Sequence, residues 1–207
     1  MRQLMIKSGA LSLLALAVSA CSVLPDPAPA DTIYRLTSLN KSVPAASTAT
    51  VIRVDRPVAS VVFQSRDIVV SPDGRRLASA AQAKWIATMP NLIQSAFVDV
   101  LSTRPDLIGV IPASGARTNK RVQLTIKNFE AEFDNGNEVP PLAVVRYAVT
   151  YANSSNRALL GTYNVEAVQR ASSTNVSNIV EALSIANNKA LTDVAVWIEN
   201  QTDKPQS

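Results

Sequence analysis

Residues 121–168 read RVQLTIKNFEAEF (121–133), DNGNEVPP (134–141), LAVVRYAVTY (142–151), ANSSN (152–156) and RALLGTYNVEAV (157–168). Val122, Leu124 and Ile126 alternate with polar residues, and so do Val145, Tyr147, Val149 and Tyr151. Side chains on a strand alternate between its two faces, so this period predicts three long antiparallel strands with one covered face. The Asn-, Gly- and Pro-rich segments between the runs supply the turns.

Upstream, Thr48 to Val54, dense in β-branched residues from Thr50 on, predicts another strand, which Pro57 ends. Val61-Val62-Phe63 is a second short apolar segment. Asp67 to Ser71 and Arg75 to Ala78 flank Pro72-Asp73-Gly74, a hairpin signal because Pro presets φ and Gly accepts positive φ. Leu107 to Ile111 reads as a further strand.

Two stretches carry the helical period. From Gln82 to Leu101, Trp85, Met89, Leu92, Ile93, Ala96, Phe97, Val100 and Leu101 recur at steps of three and four. Pro90 marks either a kink or a break, with the main helix starting near Met89. A second helix runs from Asn175 or Ser177 to about Glu199, with Ile179, Val180, Leu183, Ala186, Ala190, Leu191, Val194, Trp197 and Ile198 as its stripe. The expectation is an α+β fold: one domain over 48–200, a largely antiparallel sheet, and two amphipathic helices covering one face.

The N-terminus reads differently. Arg2 and Lys7 precede an uncharged, Leu-rich run from Ser8 to Ala20. At 13 residues that run is short of the roughly 20 needed to span a bilayer, and it matches an export signal over 1–20. Val18-Ser19-Ala20-Cys21 resembles a bacterial lipobox, which makes Cys21 the lipidation site. Ser22, rather than Asp, follows it and resembles the outer-membrane sorting default. Residues 21–47, rich in Pro and Ala, read as the lipidated N-terminus and a tether, with a short strand allowed within it at Tyr34-Arg35-Leu36. Residues 201–207 read as a polar tail.

Composition narrows the chemistry. The chain has no histidine and one cysteine, which removes His-based triads and the usual zinc ligand sets. No spacing singles out a carboxylate or Ser-Lys constellation, and there is no phosphate-binding Gly-Lys loop. The expectation is a non-enzyme with no catalytic, cofactor or metal residues. Without the signal, Lys plus Arg falls from 20 to 18 against 16 acids. The charges are dispersed beyond Arg75-Arg76 and Lys120-Arg121, so no nucleic-acid footprint is expected.

Particular residues have two readings. Trp85 and Trp197 are assigned to helix faces packed on the sheet rather than to binding hot spots. Tyr147 and Tyr151 are assigned to the core rather than to a lipid groove. Glu130 and Glu132 share a strand face, read as solvated rather than as a working carboxylate pair. The Asp134–Pro141 loop reads as a connector open to a partner.

Tyr34-Arg35-Leu36, Val51 to Val54 before Pro57, the hairpin into Leu77, Lys84-Trp85 leading to Leu101, the Leu124-Ile126-Phe129 strand and an Ala-rich last helix ending in Trp197 occur in that order behind the lipobox. This order resembles the ABC-type transport auxiliary lipoproteins, the PqiC-like family. The resemblance implies an outer-membrane, periplasm-facing docking lipoprotein that works with an MCE-domain periplasmic protein and an ABC permease and ATPase in lipid transport. It leaves open a homo-oligomer. Two other readings stand beside it, a pilot or assembly lipoprotein of another envelope machine and a carboxylate-based periplasmic enzyme.

Overall fold

The computed structural model describes residues 29–37 and 42–202. The export signal 1–20, Cys21, Ser22 and most of the C-terminal tail lie outside these residues, so the description concerns the folded unit that begins at Asp31.

The frame is the expected meander. Strands β7 (Lys120–Glu132), β8 (Leu142–Asn153) and β9 (Leu159–Arg170) pair antiparallel in sequence. Their register sets Val122 opposite Tyr151, Leu124 opposite Val149, Ile126 opposite Tyr147 and Phe129 opposite Val145. All eight side chains are buried. A bulge between Ile126 and Asn128 keeps Phe129 on the core face: without the extra residue the pleat would turn it outward.

The other strands extend the sheet beyond β7. These are β1 (Thr32–Tyr34), β2 (Thr50–Val54), β3 (Val58–Ala59), β4 (Asp67–Ser71), β5 (Ala78–Trp85) and β6 (Leu107–Val110). The path runs β1-β5-β4-β7-β2-β6, with β3 also on β7 and with β8 and β9 branching from it. The three long strands and the β4–β5 hairpin are antiparallel. The short strands β2, β3 and β4 join β7 in parallel, as β1 joins β5 and β6 joins β2. The α+β class stands, with a nine-stranded mixed sheet. Thr32–Tyr34 lies inside the stretch read as tether, so the sheet begins upstream of residue 48.

Helix α1 spans Met89–Leu101 and α2 spans Val176–Thr202. The break reading of the first helical pattern is the one realised: Pro90 sits in the first turn, where its missing N–H costs nothing. Gln82 to Trp85 therefore belongs to β5 and not to a helix. Both helices bury their stripes in one core with the β7–β8 face. Gly109 on β6 marks a close approach to α1, since a Cβ there would lie 2.9 Å from Leu101 Cδ1 and 3.2 Å from the Val98 backbone. Among the described residues no helix is long and apolar enough to cross a membrane.

Candidate docking site

The described chain enters the fold through β1. Thr32, Ile33 and Tyr34 pair in parallel with Ala83, Lys84 and Trp85. The Ile86 N–H donates to the Tyr34 carbonyl at 2.7 Å. Beyond the strand, the entering chain is held by α2. The Asn188 side-chain amide donates to the Thr37 carbonyl at 2.8 Å, and the Thr37 N–H donates to Ser184 Oγ at 3.4 Å. Tyr34 and Ser177 share a hydroxyl hydrogen bond of 3.2 Å.

Ser184, Asn187 and Asn188 are buried polar residues inside an otherwise apolar helix face. Such groups are costly unless paired, and here each is paired. Asn187 Oδ1 accepts from the Tyr147 hydroxyl at 2.7 Å, tying α2 to β8. Ser184 Oγ also donates to the Val180 carbonyl. Neither Ser184 nor Asn188 was singled out from sequence. The available signal was three polar residues in register with the apolar stripe.

The residues singled out from sequence are dispersed. Trp85 is fully buried and meets Phe129 edge to face, with centroids 6.2 Å apart. It packs in the core, but from a strand. Trp197 stacks on Tyr163 at 5.3 Å and meets Tyr151 edge to face, staying partly exposed at the β9 margin. Tyr147 and Tyr151 belong to the core. Burial pushes the Tyr147 hydroxyl well up and the Tyr151 hydroxyl to about 12. The Asp134–Pro141 loop is fastened at both ends by Arg170, which reaches Asp134 at 2.8 Å and the Pro140 carbonyl at 3.0 Å.

Glu130 departs from the solvated reading. It is 6% exposed, and Val144 opposite it on β8 is buried too. Its carboxylate accepts from the Asn128 amide at 2.6 Å and the Phe129 N–H at 3.0 Å. Burial outweighs these bonds and holds its pKa above the usual carboxylate value. The native state thus binds this proton more tightly than the unfolded chain does. Stability should fall as pH rises from the unfolded pKa through the raised native one, and the loss is complete above it. Glu130→Gln should abolish that segment of the pH dependence and be the more stable protein at neutral pH. Urea midpoints of both proteins from about pH 4 to about pH 8 check this.

A family model for the ABC-type transport auxiliary lipoprotein component matches residues 34–195. The chain belongs to this family. The match starts at Tyr34, the last residue of β1, and ends in α2. Membership makes the protein a membrane-anchored envelope lipoprotein that serves ABC-type transport. Solved structures share this fold. Protein XCC0632 from Xanthomonas campestris superposes with a TM-score of 0.72 at 17% identity, covering 83% of this chain and 96% of that one. An uncharacterized protein gives 0.66 at 12% identity, with 82% and 99% covered. The hypothetical protein CT253 from Chlamydia trachomatis gives 0.51 at 9% identity, with 75% and 98% covered. At these identities the likeness concerns the fold. A search of curated proteins returned no match.

Proposed function

We propose that this auxiliary lipoprotein is anchored by lipidated Cys21 in the outer membrane, facing the periplasm, and docks an MCE-type ABC lipid transport system there. The observation that carries the reading is the family match over 34–195 standing directly behind a lipobox-like Val18-Ser19-Ala20-Cys21. Ser22 supports outer-membrane sorting.

The domain acts by docking and not by catalysis. The acyl chains fix its location, and its surface recognises the MCE protein. Ten residues lie between Cys21 and Thr32, so an extended chain holds the start of the sheet within about 40 Å of the anchor. The partner system supplies the energy.

The test is photo-crosslinking in cells from exposed positions of the folded unit, with the partner operon expressed. Capture of an MCE-domain protein is the expected outcome. Capture of a secretin or an assembly β-barrel instead would move the protein to the pilot class. No crosslink to an MCE protein from any exposed face would sink the proposal.

A further inference from the structure

At the start of β7 the fold gathers cations that the sequence disperses. Three segments meet there. Residues 111–121 lead from β6 into β7, through a 3-10 turn at Pro112–Ser114 that Gly115 closes with a φ of +69°. Residues 46–53 run into and along β2, where Ile52 pairs with Lys120 and Arg53 with Arg121. Residues 153–158 turn from β8 to β9, and the Ser154 N–H donates to the Asn119 carbonyl at 2.9 Å. Together these segments carry Arg53, Arg117, Lys120, Arg121 and Arg157, and no Asp or Glu. Two acidic residues approach from outside them. Asp55 is taken by Arg53 at 3.0 Å and Arg121 at 2.5 Å. Asp106 meets β2 through its backbone carbonyl, which accepts from the Thr50 N–H at 2.8 Å.

A cavity of about 360 Å³ opens at this end, lined by Thr48, Thr50, Arg117, Thr118, Asn119 and Lys120. Its place follows from the strand period. Thr50 and Lys120 stand two residues before the buried Ile52 and Val122, so they continue the core-facing rows past the last apolar layer. Arg117 and Lys120 have no carboxylate partner among the described residues, and the Thr48 and Thr50 hydroxyls and the Asn119 amide are unpaired there too. β4, and through it β5 and β1, joins β7 at Ala131 and Glu132, so the entering strand lies away from the cavity.

A cleft lined by one sign of charge concentrates ions of the other, and no acid lines this one. The donor set decides which anion fits. Arg117 offers a fork of N–H groups, Lys120 an ammonium, and the Thr and Asn side chains further donors. A terminal phosphate presents more acceptor oxygens than a carboxylate and nearly twice the charge, which matches two cations ringed by hydroxyls. The remaining lining residues, Ala49 and Val51, are too few to bed an acyl chain. We propose that this cavity binds a terminal phosphate group, held by Arg117 and Lys120, with Thr48, Thr50 and Asn119 donating to its oxygens. Soluble phosphate and the phosphomonoester headgroup of a lipid present the same oxygens to it. The assignment stands apart from the docking role proposed above.

The test uses the full mature chain purified in a non-ionic detergent. A limiting amine-acetylating reagent is added, and peptide mass spectrometry reads acetylation at Lys120 and at Lys127, an exposed lysine of the same strand. Inorganic phosphate at constant ionic strength should slow acetylation of Lys120 several-fold and leave Lys127 unchanged. Arg117→Gln, on an exposed loop, should abolish that protection with the circular dichroism spectrum unchanged. The comparison of the two lysines in the unaltered chain decides the matter even where the variant fails to fold. Phosphatidic acid in the micelles, against phosphatidylcholine, separates the sources: whichever of phosphatidic acid and inorganic phosphate protects at the lower concentration identifies the ligand, and either result supports the site. Equal slowing at Lys120 and Lys127, or none at Lys120 with either probe, overturns the proposal. Protection by polyglutamate and by neither phosphate overturns it in favour of an acidic protein segment.

Discussion

Trp85→Ala should cost about 3–5 kcal/mol of unfolding free energy, a large share of the roughly 5–15 kcal/mol a domain possesses. Trp85 is the largest fully buried side chain among the described residues. Its ring meets Phe129 of β7. Its backbone pairs with Tyr34 of β1, and its N–H donates to the Arg66 carbonyl at 2.7 Å. The residue thus joins β1, β5 and β7 just before α1 begins at Met89. Truncation removes the transfer energy of an indole and leaves a cavity that strands fixed on two sides cannot collapse into. The indole N–H has no hydrogen-bond partner among the described residues, so Trp85→Phe forfeits volume alone and should cost much less. Chemical denaturation checks both, as a fall in midpoint with unchanged slope. Trp197→Ala, at the partly exposed β9 margin, should fall below Trp85→Ala. A Trp85→Ala protein as stable as Trp197→Ala would refute this account of the core.

Trp85 also shows where pattern reading works and where it fails. The long meander was legible because a two-residue period sustained over a dozen positions admits one backbone geometry. The final helix was legible for the same reason at period 3.6. Trp85 lies four residues before Met89, so it fits a helical stripe by spacing alone, although the chain changes from strand to helix between them. Pro90 was the local evidence for that change. The parallel docking of β2, β3 and β4 on β7 was not legible, because parallel neighbours are selected by tertiary packing and leave no turn signal. Glu130 was misread for a related reason. Alternation put it on the face away from the helices, and nothing local reveals that Val144 is buried on that face as well. The clamp of Ser184 and Asn188 on Thr37 was hidden because polar residues in an apolar stripe look like interruptions until their partners are seen. The attachment motif differs from these: Cys21 is an expectation from sequence alone and lies outside the described residues.

Cys21→Ala should abolish membrane attachment while leaving the folded unit unchanged. The anchor side is a matter of scale. Each buried methylene contributes about 0.8 kcal/mol, one myristoyl chain binds only marginally, and two chains hold stably. The exposed aliphatics at Ile33, Ile86, Val61 and Val62 amount to a few scattered side chains, so they cannot replace acyl chains. The fold side is a matter of location. The sheet starts at Thr32, and its N-terminal strand is secured by Trp85, Ser177, Ser184 and Asn188, none of which involves residue 21. Fractionation should therefore move the protein from the membrane to the soluble periplasm, with urea midpoint and circular dichroism unchanged. Ser22→Asp separates attachment from sorting: it should keep the acyl groups and shift the protein to the inner membrane. If Cys21→Ala remained membrane-bound, the domain surface would be holding it, and docking would precede anchoring. If it became soluble yet supported full function in cells, the tether would contribute nothing beyond delivery. The expected result is loss of both: on the proposed reading, the ten residues between Cys21 and Thr32 hold the domain at millimolar effective concentration beside the membrane.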